Sequence, residues 1–163
     1  RKDYLRSGIN LIQANINNIQ INEAKEVIPM IDIQYTIETE QYGNKTGNRL
    51  FIPANIFRKG FTTPDLKQRV QDIHINYGYL DTDSICLQIP EGYTIESLPK
   101  TCQVTSSFGS FSSSLMIKDK EICIIHRLLM HRGIYPKEIY KDFLEFRKQI
   151  AAQYSSKIIL KKE

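Results

Sequence analysis

The sequence has no tryptophan, only three cysteines and three histidines, and just six prolines in 163 residues. It also lacks any uninterrupted apolar run near the roughly 18–20 residues that a spanning helix requires. No membrane-crossing helix is therefore expected. Cys86, Cys102 and Cys123 show no C-x-x-C spacing, which argues against a zinc knuckle or a thioredoxin-type redox pair. An arginine-rich stripe with interleaved aromatics is missing too. The 22 basic residues stand against 18 acidic ones, a net charge of +4. Most lie beside acids, as from Lys137 to Lys148, so nucleic acid is not an expected partner. The cluster Lys157, Lys161 and Lys162 reads as a solvated end. Residue 1 is Arg, not Met, and no apolar signal core follows it, so the chain reads as a soluble piece of a longer protein.

What is present is an ordinary globular composition, 41% hydrophobic, of a length suited to one domain over residues 1–163. Its 25 Ile against 12 Leu favour strands, because β-branched side chains suit a pleated surface. Ile31, Ile33, Tyr35 and Ile37 alternate with Asp32, Gln34, Thr36 and Glu38, the signature of a half-buried strand. An irregular strand precedes it, with Ile12, Ala14 and Ile16 shifting phase at Asn17 and Asn18 before Ile19 and Ile21, as at a β-bulge. Leu50 to Ile52 form a short strand stopped by Pro53, and Arg58 to Lys67 read as loop. Ile73 to Tyr79 and Ile85 to Ile89, separated by Asp81, Thr82 and Asp83, predict one antiparallel hairpin. Pro90 to Gly92 predict a turn. Phe108 and Phe111, among the serines of 106–114, begin a second hairpin that continues through Leu115 to Ile117, a turn at 118–120 and Ile122 to Met130.

The period then changes. Pro136 suits the first position of a helix, and Ile139, Phe143, Phe146 and Ile150 form a 3.6-residue stripe opposite Lys137, Lys141, Glu145 and Lys148. One amphipathic helix is expected over 136–153, followed by a closing strand at Ile158 to Leu160. The expected fold is mainly β, an antiparallel two-layer β-sandwich with this single C-terminal helix.

Chemistry is sparse. A cysteine nucleophile needs an imidazole in reach and a group to orient it. His126 and His131 are five apart in an extended run, so they point to opposite faces, and neither has a carboxylate beside it in sequence. His74 stands alone. None of the cysteines opens a helix, where a thiol is most readily activated; they read as small core residues, or one pair as a disulfide if the chain is exported, with the pair undetermined. Glu91 has no partner carboxylate at interpretable spacing for glycoside hydrolysis. Tyr35, Tyr77, Tyr79 and Tyr140 read as core, although a carbohydrate-binding surface is the alternative. Asn44, Lys45 and Thr46 match a glycosylation sequon that has meaning only in an exporting eukaryotic host. The expected inventory is thus no catalytic residue, no cofactor and no metal ligand. An exposed apolar patch is expected around Leu11, Phe51, Ile56 and Phe57.

From Arg49 onward the order of motifs adds to this reading: R-L-F-I-P at 49–53, I-P-E-G-Y-T-I-E-S-L-P-K at 89–100, F-G-S-F at 108–111, Y-P-K-E-I-Y-K-D-F at 135–143 and K-I-I-L at 157–160. Together they resemble the C-terminal domain of unknown function that follows the transglutaminase-like core of exported Gram-negative bacterial proteins. Residues 1–48 match least, as leading strands would. The resemblance implies a non-catalytic accessory domain of the periplasm or cell envelope, with the upstream core as partner and an envelope protein or glycan as a further one. The superfamily's Cys, His, Asp triad finds no counterpart here, because Cys86, Cys102 and Cys123 all lie in strand-like runs.

Overall fold

The computed structural model describes residues 11, 13–25, 30–57, 63–66 and 69–163. In chain order its strands are β1 (Asn15–Ala24), β2 (Met30–Glu38), β3 (Asn44–Thr46), β4 (Arg49–Pro53), β5 (Ile73–Ile75), β6 (Tyr79–Gln88), β7 (Tyr93–Ser97), β8 (Cys102–Ser106), β9 (Gly109–Lys118), β10 (Glu121–Met130), β11 (Gly133–Tyr135) and β12 (Lys157–Lys162). A 3-10 turn at Lys137–Ile139 leads into helix α1 (Tyr140–Tyr154). Two four-stranded antiparallel sheets, ordered β6-β10-β9-β8 and β3-β4-β12-β7, form the layers. The expected β-sandwich with one C-terminal helix is the fold observed.

Strand β10 shows why the layers stack as they do. Its alternate residues Ile122, Ile124, His126, Leu128 and Met130 are all buried, as period-2 geometry demands of one sheet face. The first part of this face packs Ile122 and Ile124 against Ile52, Ala54, Ile158 and Leu160 of the second sheet and its flank. The latter part packs Leu128 and Met130, with Phe108 and Phe111, against Tyr140, Phe146, Ile150 and Tyr154 of α1. One continuous sheet face is thus covered half by a sheet and half by a helix. His126 lies at the seam.

The β8–β9 hairpin closes tightly at Ser107 and Phe108. Gly109 there has φ +149°, and a Cβ on it would stand 1.9 Å from the Leu129 carbonyl oxygen, so only glycine fits. Phe108 is fully buried, in edge contact with Phe143 at 5.0 Å. The helix begins later than Pro136 suggests, because β11 carries the chain up to Tyr135 in extended form and Pro136 keeps ψ at 141°. Proline therefore precedes the first turn. The Lys137 N–H donates to Asp72 Oδ1 at 3.1 Å, which satisfies one of the donors a helix start leaves over. Of the apolar stripe, Phe146 and Ile150 are buried, whereas Ile139 and Phe143 are half-buried.

The first expected hairpin is not formed. Asp81, Thr82 and Asp83 lie inside β6, opposite Leu128, Arg127 and His126, and Ile73 to Ile75 pair instead with β11. Two pairing partners that lie far along the chain outweigh the local turn preference of Asp-Thr-Asp. The polar stretch before β4, for which the sequence suggests no strand, holds β3, which turns through Gly47 (φ +60°) into β4. The phase change near Asn17 is present: the β1–β2 register shifts between Asn17 and Gln20, with Asn18 at φ +53°. Ile12, and much of the expected loop from Arg58 to Lys67, lie outside the described residues.

Candidate functional site

Across the inner face of β6-β10-β9-β8, Asp83 pairs with His126, His126 with Ser113, and Ser113 with Cys102. Directly opposite residues in antiparallel strands share a face, with Cβ atoms about 4.5–5.5 Å apart. Acid, imidazole, hydroxyl and thiol thus form one row across four strands. His126 is 1% exposed and Ser113 5%. Asn55 reaches this row from the segment after β4, which is tied to the end of α1 where the Ala54 N–H donates to the Ser156 carbonyl at 3.0 Å. Its amide Nδ2 donates to Asp83 Oδ2 at 3.1 Å and lies 3.4 Å from His126 Nδ1, while its Oδ1 accepts from the Phe57 N–H at 2.9 Å. The imidazole is walled by Phe111 and Tyr154, at centroid distances of 5.8 and 5.3 Å.

The row has the groups of a nucleophile, base and orienting acid; packing buries the imidazole and the Ser113 hydroxyl, while Asp83 and Cys102 at its two ends are half-buried. Burial pushes the Cys102 thiol above its ordinary range, an effect partly offset by the Ser113 backbone N–H. A thiol held protonated is a weak nucleophile. Depressions described on the surface are lined elsewhere, by Gln13, Asn15 and Glu38 to Glu40, by Asp65 with Lys141 to Lys148, and by His74 to Tyr77 with Arg132 to Ile134. Burial also lowers the Arg147 guanidinium, against which a hydrogen bond with Tyr79 acts in part.

A family of domains of unknown function, DUF3858, matches residues 48–160, more than two thirds of the chain. The chain belongs to this family. No curated protein and no solved structure matches it. Within the DUF3858 span lie the β6-β10-β9-β8 sheet, most of the second sheet, α1 and every member of the polar row; the β1–β2 hairpin and β3 precede it.

The histidines fall as parity requires: His126 is buried, while His131 is exposed with Nδ1 3.3 Å from the Ser107 carbonyl. His74 is exposed on β5. His126, expected to have no carboxylate beside it, has Asp83 directly across the ladder. Asp83 goes unrecognised because Asp-Thr-Asp resembles a turn, although the alternation Asp81, Asp83, Ile85, Leu87 signals a continuing strand. Cys86 and Cys123 oppose each other on the outer face and form a disulfide, leaving Cys102 free. Glu91 occupies an exposed turn in which the Tyr93 N–H donates to the Pro90 carbonyl. Asn44 to Thr46 form the exposed strand β3.

Two tyrosines contradict the core expectation: Tyr77 is 82% exposed and Tyr79 41%. Tyr77 lies between β5 and β6, beyond the hairpin that would have buried it. The expected apolar patch is also displaced. Ile56 is buried, with Leu11 packed against its cluster, and Phe51 is half-buried, so only Phe57 is exposed. Exposed apolar side chains lie instead on β2 (Met30, Ile31, Ile33) and on the outer sheet face.

Proposed function

We propose that this chain is a non-catalytic accessory domain of an exported transglutaminase-like protein of the cell envelope, packing on the core upstream of it. The observation that supports this most directly is an apolar stripe on the β1–β2 hairpin. It starts in a buried cluster where Ile16 and Ile56 pack with Tyr35 and Ile37, and continues outward as the pair Ile21 and Ile33 and then Ile31, which is 64% exposed. A two-stranded ribbon is marginal alone in water, so a stripe that leaves the core uncovered suits a neighbouring domain. Sealing of His126 and Ser113 supports a scaffold rather than a reaction centre. The family match extends no further than a domain of unknown function. Hydrogen exchange over residues 15–38, measured in this chain and in a longer protein that carries the core, tests the reading. Slower exchange of the hairpin in the longer protein is expected; identical protection overturns docking.

One observation favours the alternative of an envelope glycan-binding module. Tyr77 stands open beside a depression of about 400 Å³ lined by His74, Asn76, Arg132 and Gly133, an aromatic face with polar neighbours of the kind that holds a sugar ring. Saturable retention on immobilised polysaccharide that Tyr77→Ala abolishes would establish this reading over the first.

A further inference from the structure

The outer face of β6-β10-β9-β8 carries one cluster that neither reading uses. Cys86 and Cys123, register partners with Cα atoms 4.1 Å apart, are joined there as a disulfide. Two residues along, Glu121 points Oε2 at Cys123 Sγ, 3.6 Å away. Its other oxygen, Oε1, accepts from Gln88 Nε2 at 2.9 Å, so the carboxylate is oriented with its free oxygen toward the sulfurs. The two sulfurs and the carboxylate lie within 4.8 Å of one another.

We propose that reduction of the Cys86–Cys123 disulfide opens a site for a thiophilic divalent metal ion, held by the two thiolates and the Glu121 carboxylate. Bond lengths of about 2.3 Å to sulfur and about 2.1 Å to oxygen at a tetrahedral angle place sulfur and oxygen about 3.6 Å apart, and two sulfurs about 3.8 Å apart. The sulfur–oxygen spacing is already met at Cys123. The sulfurs separate by side-chain rotation, and the strands need not move, because β10 is paired along its length with both β6 and β9. Gln88 supplies the outer-shell hydrogen bond that orients a metal-binding carboxylate. Cys86 is exposed whereas Cys123 is buried, so a reductant attacks at the Cys86 sulfur, the ion enters from that side, and water fills the fourth position. The chemistry balances: an external dithiol gives two electrons and two protons to the disulfide and becomes a disulfide itself. The metal ion then displaces the two thiol protons.

Titration of Cd(II) into the anaerobically reduced chain, followed by the thiolate-to-metal charge-transfer absorbance, tests this. One ion per chain is expected after reduction and none in the oxidised chain. Cys86→Ser and Cys123→Ser should abolish the band, whereas Cys102→Ser should retain it. Gln88→Ala should weaken binding roughly 10–100-fold, as loss of an outer-shell partner does, and Glu121→Gln at least as much. Far-UV circular dichroism checks that the reduced chain keeps its sheets. The proposal is overturned by a folded, reduced chain without a band, by unchanged affinity in Glu121→Gln, or by loss of the sheet signal on reduction.

Discussion

On the inner face of the β6-β10-β9-β8 sheet, His126 and Ser113 are held where solvent does not reach, between Asp83 and Cys102 and under Asn55, Phe111 and Tyr154. On its outer face, Cys86 and Met116 are open to solvent in the row that also holds Cys123, with Ser84, Ser114 and Ile125 in the row beside it. Alternate residues of the same strands make both faces. Residue type alone therefore says little about chemistry here. An imidazole and a hydroxyl packed between two cores, with a half-buried acid beside them, act as cross-strand pins, whereas on the outer face Cys86 and the half-buried Glu121 carboxylate keep access to water beside the buried Cys123 sulfur.

The contrast predicts unequal costs for similar truncations. Phe111→Ala, at 1% exposure, should destabilise by about 3–5 kcal/mol in denaturant unfolding. Met116→Ala, at 58% exposure, should stay within about 1 kcal/mol. Comparable losses at both sites would mean that the outer face is covered as well. Phe143, half-buried beside Phe108, should fall between them. Removing the disulfide by Cys86→Ser and Cys123→Ser together should cost about 2–4 kcal/mol through the unfolded chain, given the sequence separation of 37. A loss well beyond that would make the bond part of the native packing and break the picture of an independent open face.

Asn55→Ala sharpens the inner side of the comparison. It removes the buried Asn55 amide with its part-buried hydrogen bonds to Asp83 Oδ2 and from the Phe57 N–H, and the loss of such bonds should cost about 1–2 kcal/mol. Ser112→Ala, one residue from Ser113 but on the outer phase, should change stability by no more than about 0.5 kcal/mol. Equal effects would show that the polar row is no pin.

Much of the architecture is legible in periodicity. Alternation around Ile122 to Met130, the bulge near Asn17 and the 3.6-residue stripe from Ile139 to Ile150 are local signals, and each corresponds to an element. Cross-strand partnership is not local. Asp83 meets His126 43 positions later, and Ile73 meets Tyr135 across an even longer gap, so a chain read one window at a time assigns Asp81 to Asp83 to a turn and Tyr77 to a buried strand. The polar row was invisible for the same reason: its four members come from four strands, and Asn55 comes from a fifth segment. The choice of Cys86 with Cys123 needed the register too, since odd and even positions decide which sulfurs share a face.

The smallest expected effect lies on the second sheet. Arg49 on β4 and Glu96 on β7 reach toward each other past β12, with Nε to Oε2 at 2.6 Å and Nη2 to Oε1 at 2.7 Å. The Arg49 hydrogen bond holds the Glu96 carboxyl below its ordinary range; slight burial opposes this, and the charges of Arg49 and Lys161 assist. A carboxyl whose folded value is depressed adds stability above its unfolded value, and that contribution is lost as pH falls through the lowered one. Both side chains face solvent, so the gain should be small and screened by salt. Denaturant midpoints of the parent chain and Glu96→Gln, compared from neutral pH down into the carboxylate range, should differ slightly at neutrality and converge in acid. Added salt should narrow the neutral gap, whereas the Asn55→Ala effect, arising from part-buried hydrogen bonds of a buried amide, should respond less. A gap between parent and Glu96→Gln that widened as pH fell would show that Arg49 does not stabilise the charged form, and this pair would then contribute nothing through its charge.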